Sequence, residues 1–302
     1  MFFKKECPFP IFCYKSISFE EKIGRGANSH VYRSIIDDKV YAIKEYNTSD
    51  WYDIQECYNN ILYELNLSKD LIHTNHTVKT FGVCIYNEFI YIIMEYLGNG
   101  KDLYDYLQQR YFWKACYQYN NVIVPEPENN YVIYNEDHGV HWCFTMDDDS
   151  KKEISISLIE AVKELHENKI VHADLKTNNL VYHKNKIKLI DLGVSSKMND
   201  ELIKIERTYG TEGYMAPEQY KGFLSYKSDI YSVGVCLIEI WCGDIWENAK
   251  GFKPCRNEVL KCLRKIKKHN KELSVLVRKC ISLDSGKRPC TEKLLTMFNN
   301  IK

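Results

Sequence analysis

The sequence predicts an α+β protein in two parts, a smaller β-rich part followed by a larger helical one. Three observations carry that prediction. Residues 18–46 alternate and turn like a β-meander, and two more strand-like runs follow at 80–84 and 89–94. Residues 155–168 set Leu158, Ile159, Val162 and Leu165 on one face of a helix. Two aliphatic runs, 180–182 and 187–190, flank a His-Lys-Asn turn and read as a hairpin, with Asp174 and Asn179 just before it and Asp191 just after it. A hairpin folds its ends together, so two carboxylates and an amide come side by side, hard oxygen ligands of the kind Mg²⁺ takes. At 302 residues the chain can hold one large domain or two lobes that share a cleft.

Residues 1–17 read as an N-terminal extension. Their opening, M-F-F-K-K-E-C-P-F-P, has charges and prolines where a secretion signal needs an apolar run. Strands are expected at 19–23, 30–34 and 40–44, with Gly24-Arg25-Gly26-Ala27-Asn28-Ser29 as the first turn. Gly24 and Gly26 let backbone N–H groups approach phosphate oxygens with no Cβ in the way, although an ordinary hairpin turn also uses such glycines. Lys44 ends an apolar strand, where lysines more often snorkel to the surface. A helix carrying Glu56 and Glu64 is expected over 52–71. The strand at 89–94 runs into a glycine turn at 98–100, and Lys101-Asp102-Leu103 opens another helix.

From about 111 to 150 the periodicity breaks down. This aromatic-rich segment carries Pro125 and Pro127, ends on three aspartates and reads as an insertion: a docking surface for a partner, a cover over the cleft, or an inert elaboration. Its aromatic content argues against pure disorder. The longest apolar stretch, 230–242, is too short to span a bilayer and contains Glu239.

Residues 172–179, H-A-D-L-K-T-N-N, resemble the protein-kinase catalytic loop H-R-D-L-x-x-x-N, and D-L-G at 191–193 resembles the D-F-G metal motif. Y-A-I-K at 41–44 is similar to the V-A-I-K strand, and residues 24–31 to the glycine-rich loop. M-E-Y-L-G-N-G at 94–100 looks like the hinge. G-T-E-G-Y-M-A-P-E at 210–218 looks like the end of an activation segment, and Asp229 and Arg288 fall in matching contexts. The resemblance is to eukaryotic-type protein kinases of the serine/threonine type, over about residues 18–298.

That resemblance implies a bilobal kinase fold, with an N-lobe at about 18–94, a hinge at 95–100 and a C-lobe at 101–298. It implies ATP and Mg²⁺ as cofactors and a protein as substrate. Ile23, Gly24, Gly26, Val31 and Ala42 would surround the nucleotide, Lys44 would position its α- and β-phosphates, and Glu64 would hold Lys44, with Glu56 as the alternative. Met94 would guard the inner pocket, backbone groups of Glu95 and Leu97 would hold adenine, and Asp102 would touch the ribose. Asp174 would accept or orient the substrate hydroxyl, Lys176 would offset charge on the transferring phosphoryl, and Asn179 and Asp191 would hold the metal. Asp229 would support the catalytic loop from below, and Arg288 would pair with Glu218. Lys176 and Thr211 point to serine and threonine hydroxyls as acceptors, with dual specificity left open.

Four departures stand out: Ser29 at the third glycine, Ser68 where the family buries an aliphatic residue, Leu192 for phenylalanine and Ala173 for arginine. In the family that arginine grips a phosphate on the activation segment, and alanine cannot. Activity without such a phosphate is therefore expected, despite hydroxyls at Ser195, Ser196 and Thr208. D-L-G-V-S is similar to the motif of MAP-kinase kinases, and the hinge to that of PDZ-binding kinases. Two rival readings are a pseudokinase scaffold and a small-molecule kinase. Intact Lys44, Asp174, Asn179 and Asp191 weigh against the first, and the A-P-E segment, Asp229 and Arg288 against the second.

Lys+Arg and Asp+Glu both number 41, so there is no bulk field to recruit nucleic acid or an acidic membrane, and neither partner is expected. Twelve cysteines without C-x-x-C pairs suit free thiols in a reducing compartment, the cytoplasm or the nucleus.

Overall fold

The computed structural model describes residues 2–26, 29–98, 102–107, 122–126, 130–135, 139–143, 146–242 and 256–301. Ala27 and Asn28 of the glycine turn, Asn99 and Gly100 of the hinge, Lys101, and much of 111–150 including Pro127 lie outside the described residues.

Strands β1 (Ile11–Phe12), β2 (Ser18–Arg25), β3 (His30–Ile36), β4 (Lys39–Asn47), β5 (Thr80–Tyr86) and β6 (Phe89–Glu95) form one sheet in the order β1-β5-β6-β4-β3-β2. β1 joins β5 in parallel, and the other pairings are antiparallel. Asp37 and Asp38 make the β3–β4 turn at φ 47° and 58°, a left-handed pair that matches strand twist and that aspartate tolerates. Helix α1 (Phe2–Glu6) precedes this sheet in the chain, and α2 (Ile54–Asp70) lies between β4 and β5. Asp53 caps α2 by accepting from Gln55 N. Cys57, Ile61, Leu62 and Leu65 of α2 are buried in one cluster with Val83, Ile90 and Ile92 of the sheet, whereas Leu67 and Leu71 belong to the core of the larger lobe.

Within the segment read as an insertion, β7 (Val122–Glu126), β8 (Asn130–Asn135) and β9 (Gly139–Cys143) form a three-stranded antiparallel sheet of their own. The larger lobe is built on α3 (Asp148–Glu167), α4 (Tyr226–Cys242), α5 (Arg256–His269), α6 (Lys271–Cys280) and α7 (Thr291–Asn299). α3 starts well ahead of the apolar periodicity that begins near Ser155. Asp147 accepts from Ser150 N, and Asp148 and Asp149 fill the first turn, where carboxylates oppose the helix dipole. The three aspartates are thus a helix start rather than the tail of an irregular segment.

Short strands β11 (Leu180–His183) and β12 (Lys186–Leu189) form the expected hairpin, and β10 (Ile170–Val171) and β13 (Ser196–Lys197), on either side of it in the chain, pair with each other. His183 pairs with Lys186, so the turn is the two residues Lys184 and Asn185, at φ 49° and 62°. β14 (Leu202–Lys204) pairs with β15 (Phe223–Ser225). No helix among the described residues is long and apolar enough to cross a membrane.

Candidate active site

Alternate residues of a strand share a face, so β4 aims Ala42, Lys44 and Tyr46 the same way, and all three are buried. Lys44 Nζ donates to Glu64 Oε1 at 2.8 Å and to Asp191 Oδ1 at 2.9 Å. The Tyr46 hydroxyl donates to the other oxygen, Glu64 Oε2, at 2.7 Å, and the Lys44 ammonium lies 5.1 Å from the Tyr46 ring centroid. Burial works against the Lys44 charge, but the Asp191 and Glu64 carboxylates outweigh it and hold the lysine well above its ordinary pKa. Lys44 in turn holds the Asp191 carboxyl at about 2. Burial, with Glu64 nearby, pushes the Tyr46 hydroxyl well up. Glu56, the alternative partner, pairs instead with Arg207 at 3.2 Å. Ser68 donates back to Glu64 O at 3.0 Å, a local bond that suits serine inside a helix.

The hairpin brings the other groups to this pair. Ile190 N donates to Asn179 O at 3.0 Å, so Asn179 and Asp191 are neighbours across the hairpin base. Asp174 Oδ1 accepts from Thr211 Oγ1 at 2.7 Å, and Oδ2 lies 3.0 Å from Lys176 Nζ and accepts from Asn179 Nδ2 at 3.1 Å. Lys176 closes the ring by donating to Thr211 Oγ1 at 2.7 Å. From below, buried Asp229 accepts from His172 N (2.9 Å) and Ala173 N (3.1 Å) and lies 2.9 Å from His166 Nε2. Those bonds hold a loop in which Ala173 sits at φ 68°, left-handed for a residue with a Cβ.

Asn179 bonds through its NH₂ group, and Asp191 through Oδ1, which also takes Gly193 N. Asn179 Oδ1 and Asp191 Oδ2 therefore have no protein hydrogen bond among the described residues. Two unclaimed hard oxygens fit Mg²⁺, which keeps water or phosphate oxygens for the rest of its shell.

The cleft above is lined as follows. Gly24 pairs with Val31 beside Ile23 on β2, and Gly26 N donates to Ser29 O at 2.8 Å. A Cβ on Gly26 would stand 2.6 Å from Ser29 Oγ. Ala42 pairs with Met94 and Tyr41 with Glu95, and Leu97 follows, half-buried. Glu95 N donates to Lys79 O at 2.8 Å, and its carboxylate takes Lys188 Nζ at 2.9 Å, an ion pair between β6 and β12. Asp102 accepts from Asp105 N (2.8 Å) and Asn178 Nδ2 (3.0 Å), which makes it a helix cap tied to the catalytic loop.

Ala173 is buried in an apolar cluster with Val171, Met198 and Leu224, flanked by Ile203, Ile205 and Tyr226. Ser195 is buried too, its Oγ donating to His172 O at 3.2 Å, so it is a structural hydroxyl and not an accessible one. Further on, Arg288, fully buried, grips Glu218 through Nη1 at 2.6 Å and Nη2 at 2.9 Å.

Sequence reasoning missed Tyr46 and Lys188. The signal for Tyr46 was there: it stands two residues after Lys44 on the same strand. Lys188 gave none, because its partner is 93 residues away.

A two-lobed fold with this cluster at its cleft defines a class. The protein kinase domain family matches residues 17–298, and the chain belongs to that family. It is similar to Serine/threonine-protein kinase MPS1 of Encephalitozoon cuniculi (strain GB-M1), 25% identical over 93% of this chain and 42% of that one. It is similar to Probable serine/threonine-protein kinase 2 of Plasmodium falciparum (isolate K1 / Thailand), 29% identical over 78% and 39%. Wall-associated receptor kinase-like 3 of Arabidopsis thaliana is 26% identical over 95% and 38%. The chain spans about two fifths of the length of these relatives. Their names single out no branch within the family.

Proposed function

We propose that this chain transfers the γ-phosphoryl of Mg-ATP to serine or threonine hydroxyls of protein substrates. The observation that carries the reading is the convergence of Lys44, Glu64, Asp191, Asn179, Asp174, Lys176 and Thr211 on one cleft with every side chain already in register. Asn179 and Asp191 would hold Mg²⁺, which when bound would supply positive charge against the developing negative charge of the phosphates. Lys44, fully charged and held by Glu64, would position the α- and β-phosphates. Ala42 and Met94 would wall the adenine pocket, where the backbone of Glu95 and Leu97 would bind the base. Asp174 would orient the acceptor hydroxyl and take up its proton. Lys176, already 3.0 Å from Asp174, would meet the charge on the transferring group. The names of the relatives and the Lys176–Thr211 contact support a serine/threonine acceptor.

This reading includes activity without a phosphate on the activation segment. Apolar packing around Ala173 and the β14–β15 pairing already hold that segment. The reading also puts the protein in the cytoplasm or nucleus. The experiment is radiolabelled γ-phosphate transfer from Mg-ATP to a basic protein, with phosphoamino-acid analysis of the product. Wild type transfers to serine or threonine, Asp174→Asn loses at least about a thousandfold, and the combined Ser195→Ala, Ser196→Ala, Thr208→Ala variant keeps most of the activity. Nucleotide binding without transfer by wild type would favour the scaffold reading instead.

A further inference from the structure

Residues 2–16 lie ahead of the span matched by the kinase domain family, yet they are built into the sheet and against α2. The Pro10 carbonyl accepts from Val83 N at 2.9 Å, and Ile11 and Phe12 pair with Val83 and Cys84. A strand in the plane of a sheet sends side chains to both faces, and this segment uses both. On one face Phe3 and Phe9 are buried with Cys57, Ile61, Leu62 and Leu65 of α2, and Phe3 meets Tyr58 with ring centroids 5.5 Å apart. On the other, Phe12 and Tyr14 pack on the cluster of Ile36, Ile43, Cys84, Tyr91 and Ile93, and Tyr14 stacks on Tyr86 at 4.0 Å.

The matched domain has a site shaped for this segment. A Cβ on Gly82 would stand 2.2 Å from Phe12 Cε2 and 3.0 Å from the Pro10 carbonyl, so a larger residue at 82 would force the Phe12 ring and the Pro10 backbone to shift. Cys57, fully buried on α2, is a small side chain in the cluster that receives the two phenylalanines.

The position of α2 matters because it carries Glu64. Its far end is anchored by Leu67 and Leu71 in the core of the larger lobe. Its near half is buried only in the cluster that Phe3 and Phe9 complete. We infer that Phe3 and Phe9 are positioning residues for the phosphoryl-transfer reaction: they brace the near half of α2 so that Glu64 stays within bonding distance of Lys44. The inference rests on the kinase reading above for its catalytic consequence, but the brace itself has a readout that needs no catalysis.

The test uses the full chain. Hydrogen exchange of α2 (54–70) and of α4 (226–242) is measured in wild type, in Phe3→Ser/Phe9→Ser and in Gly82→Val, together with kcat and the KM for ATP. Exchange in α2 speeds up at least tenfold in both variants while α4 keeps its protection, and kcat/KM for ATP falls about tenfold. Phe3→Leu/Phe9→Leu restores both, and adding Gly82→Val to the serine pair makes nothing worse, because both changes release the same segment. If the serine pair unfolds α4 as well, Phe3→Ala alone is read the same way. Unchanged α2 exchange overturns the brace, and so does faster α2 exchange with kcat/KM intact, since that marks a part that only stabilises. Should wild type transfer no phosphate, the kinase reading fails separately, and α2 exchange alone decides the brace.

Discussion

Tyr46→Phe removes one oxygen atom from the interior and leaves the ring, so the cation–π contact with Lys44 is kept and only the bond to Glu64 Oε2 is lost. Glu64 is 7% exposed, and Oε2 then has no replacement donor from bulk water unless α2 moves. A hydrogen bond to a charged group contributes about 1.5–3 kcal/mol, and an unsatisfied buried acceptor costs a similar amount. About 2 kcal/mol is therefore expected against the arrangement with Glu64 on Lys44. Drawn from global stability, that lowers the melting temperature by about 3 °C for a domain of this size. Drawn from the population of the paired state, it lowers kcat/KM for ATP by up to about thirtyfold. Calorimetry and steady-state kinetics on the same preparation separate the two. A Tyr46→Phe variant with wild-type melting temperature and wild-type kcat/KM would refute the claim that the second carboxylate oxygen matters.

Glu218→Ala leaves the fully buried Arg288 guanidinium without its carboxylate and costs about 3–5 kcal/mol in denaturant unfolding, while Glu218→Gln, which keeps an acceptor, costs less. The pH dependence follows from Asp191. Lys44 holds its folded-state pKa at about 2, below the value of about 3.9 in an unfolded chain. Its ionised form therefore stabilises the fold fully above about pH 4, and the contribution is lost as pH falls through about 2. The stability advantage of wild type over Asp191→Asn, measured by urea unfolding, accordingly shrinks as the pH is lowered below about 4. Asparagine suits this control because it tolerates the left-handed φ of 66° at that position.

Several site groups could be found in the sequence because short local segments carry them. Asp174, Asn179 and Asp191 flank one hairpin, so residue type and spacing were enough to bring them together, whereas Lys44, which lies inside β4 and not at its end, was singled out by its resemblance to the family's strand motif. Glu64 required a choice between two glutamates on one helix, and the carboxylate 2.8 Å from Lys44 is the one chosen. Parts that depend on distant partners were not legible. The start of α3 lay ahead of its apolar stripe because a cap and a dipole make it, not packing. Among the described residues, the three strands in 122–143 pair only with one another, so no motif elsewhere announced them. The role of Phe3 and Phe9 becomes visible only once β1 is seen beside β5, 70 and more residues further on.

One helix belongs to two cores. α2 gives Ile61 and Leu65 to the small lobe, and Leu67, with Leu71 at its C-terminal cap, to the large one. Neither lobe can melt without stripping apolar surface from the other, so the interface acts as a shared nucleus of cooperativity. A ligand that settles α2 from the cleft side consequently raises the resistance of both lobes to heat and proteolysis, far beyond the residues it touches.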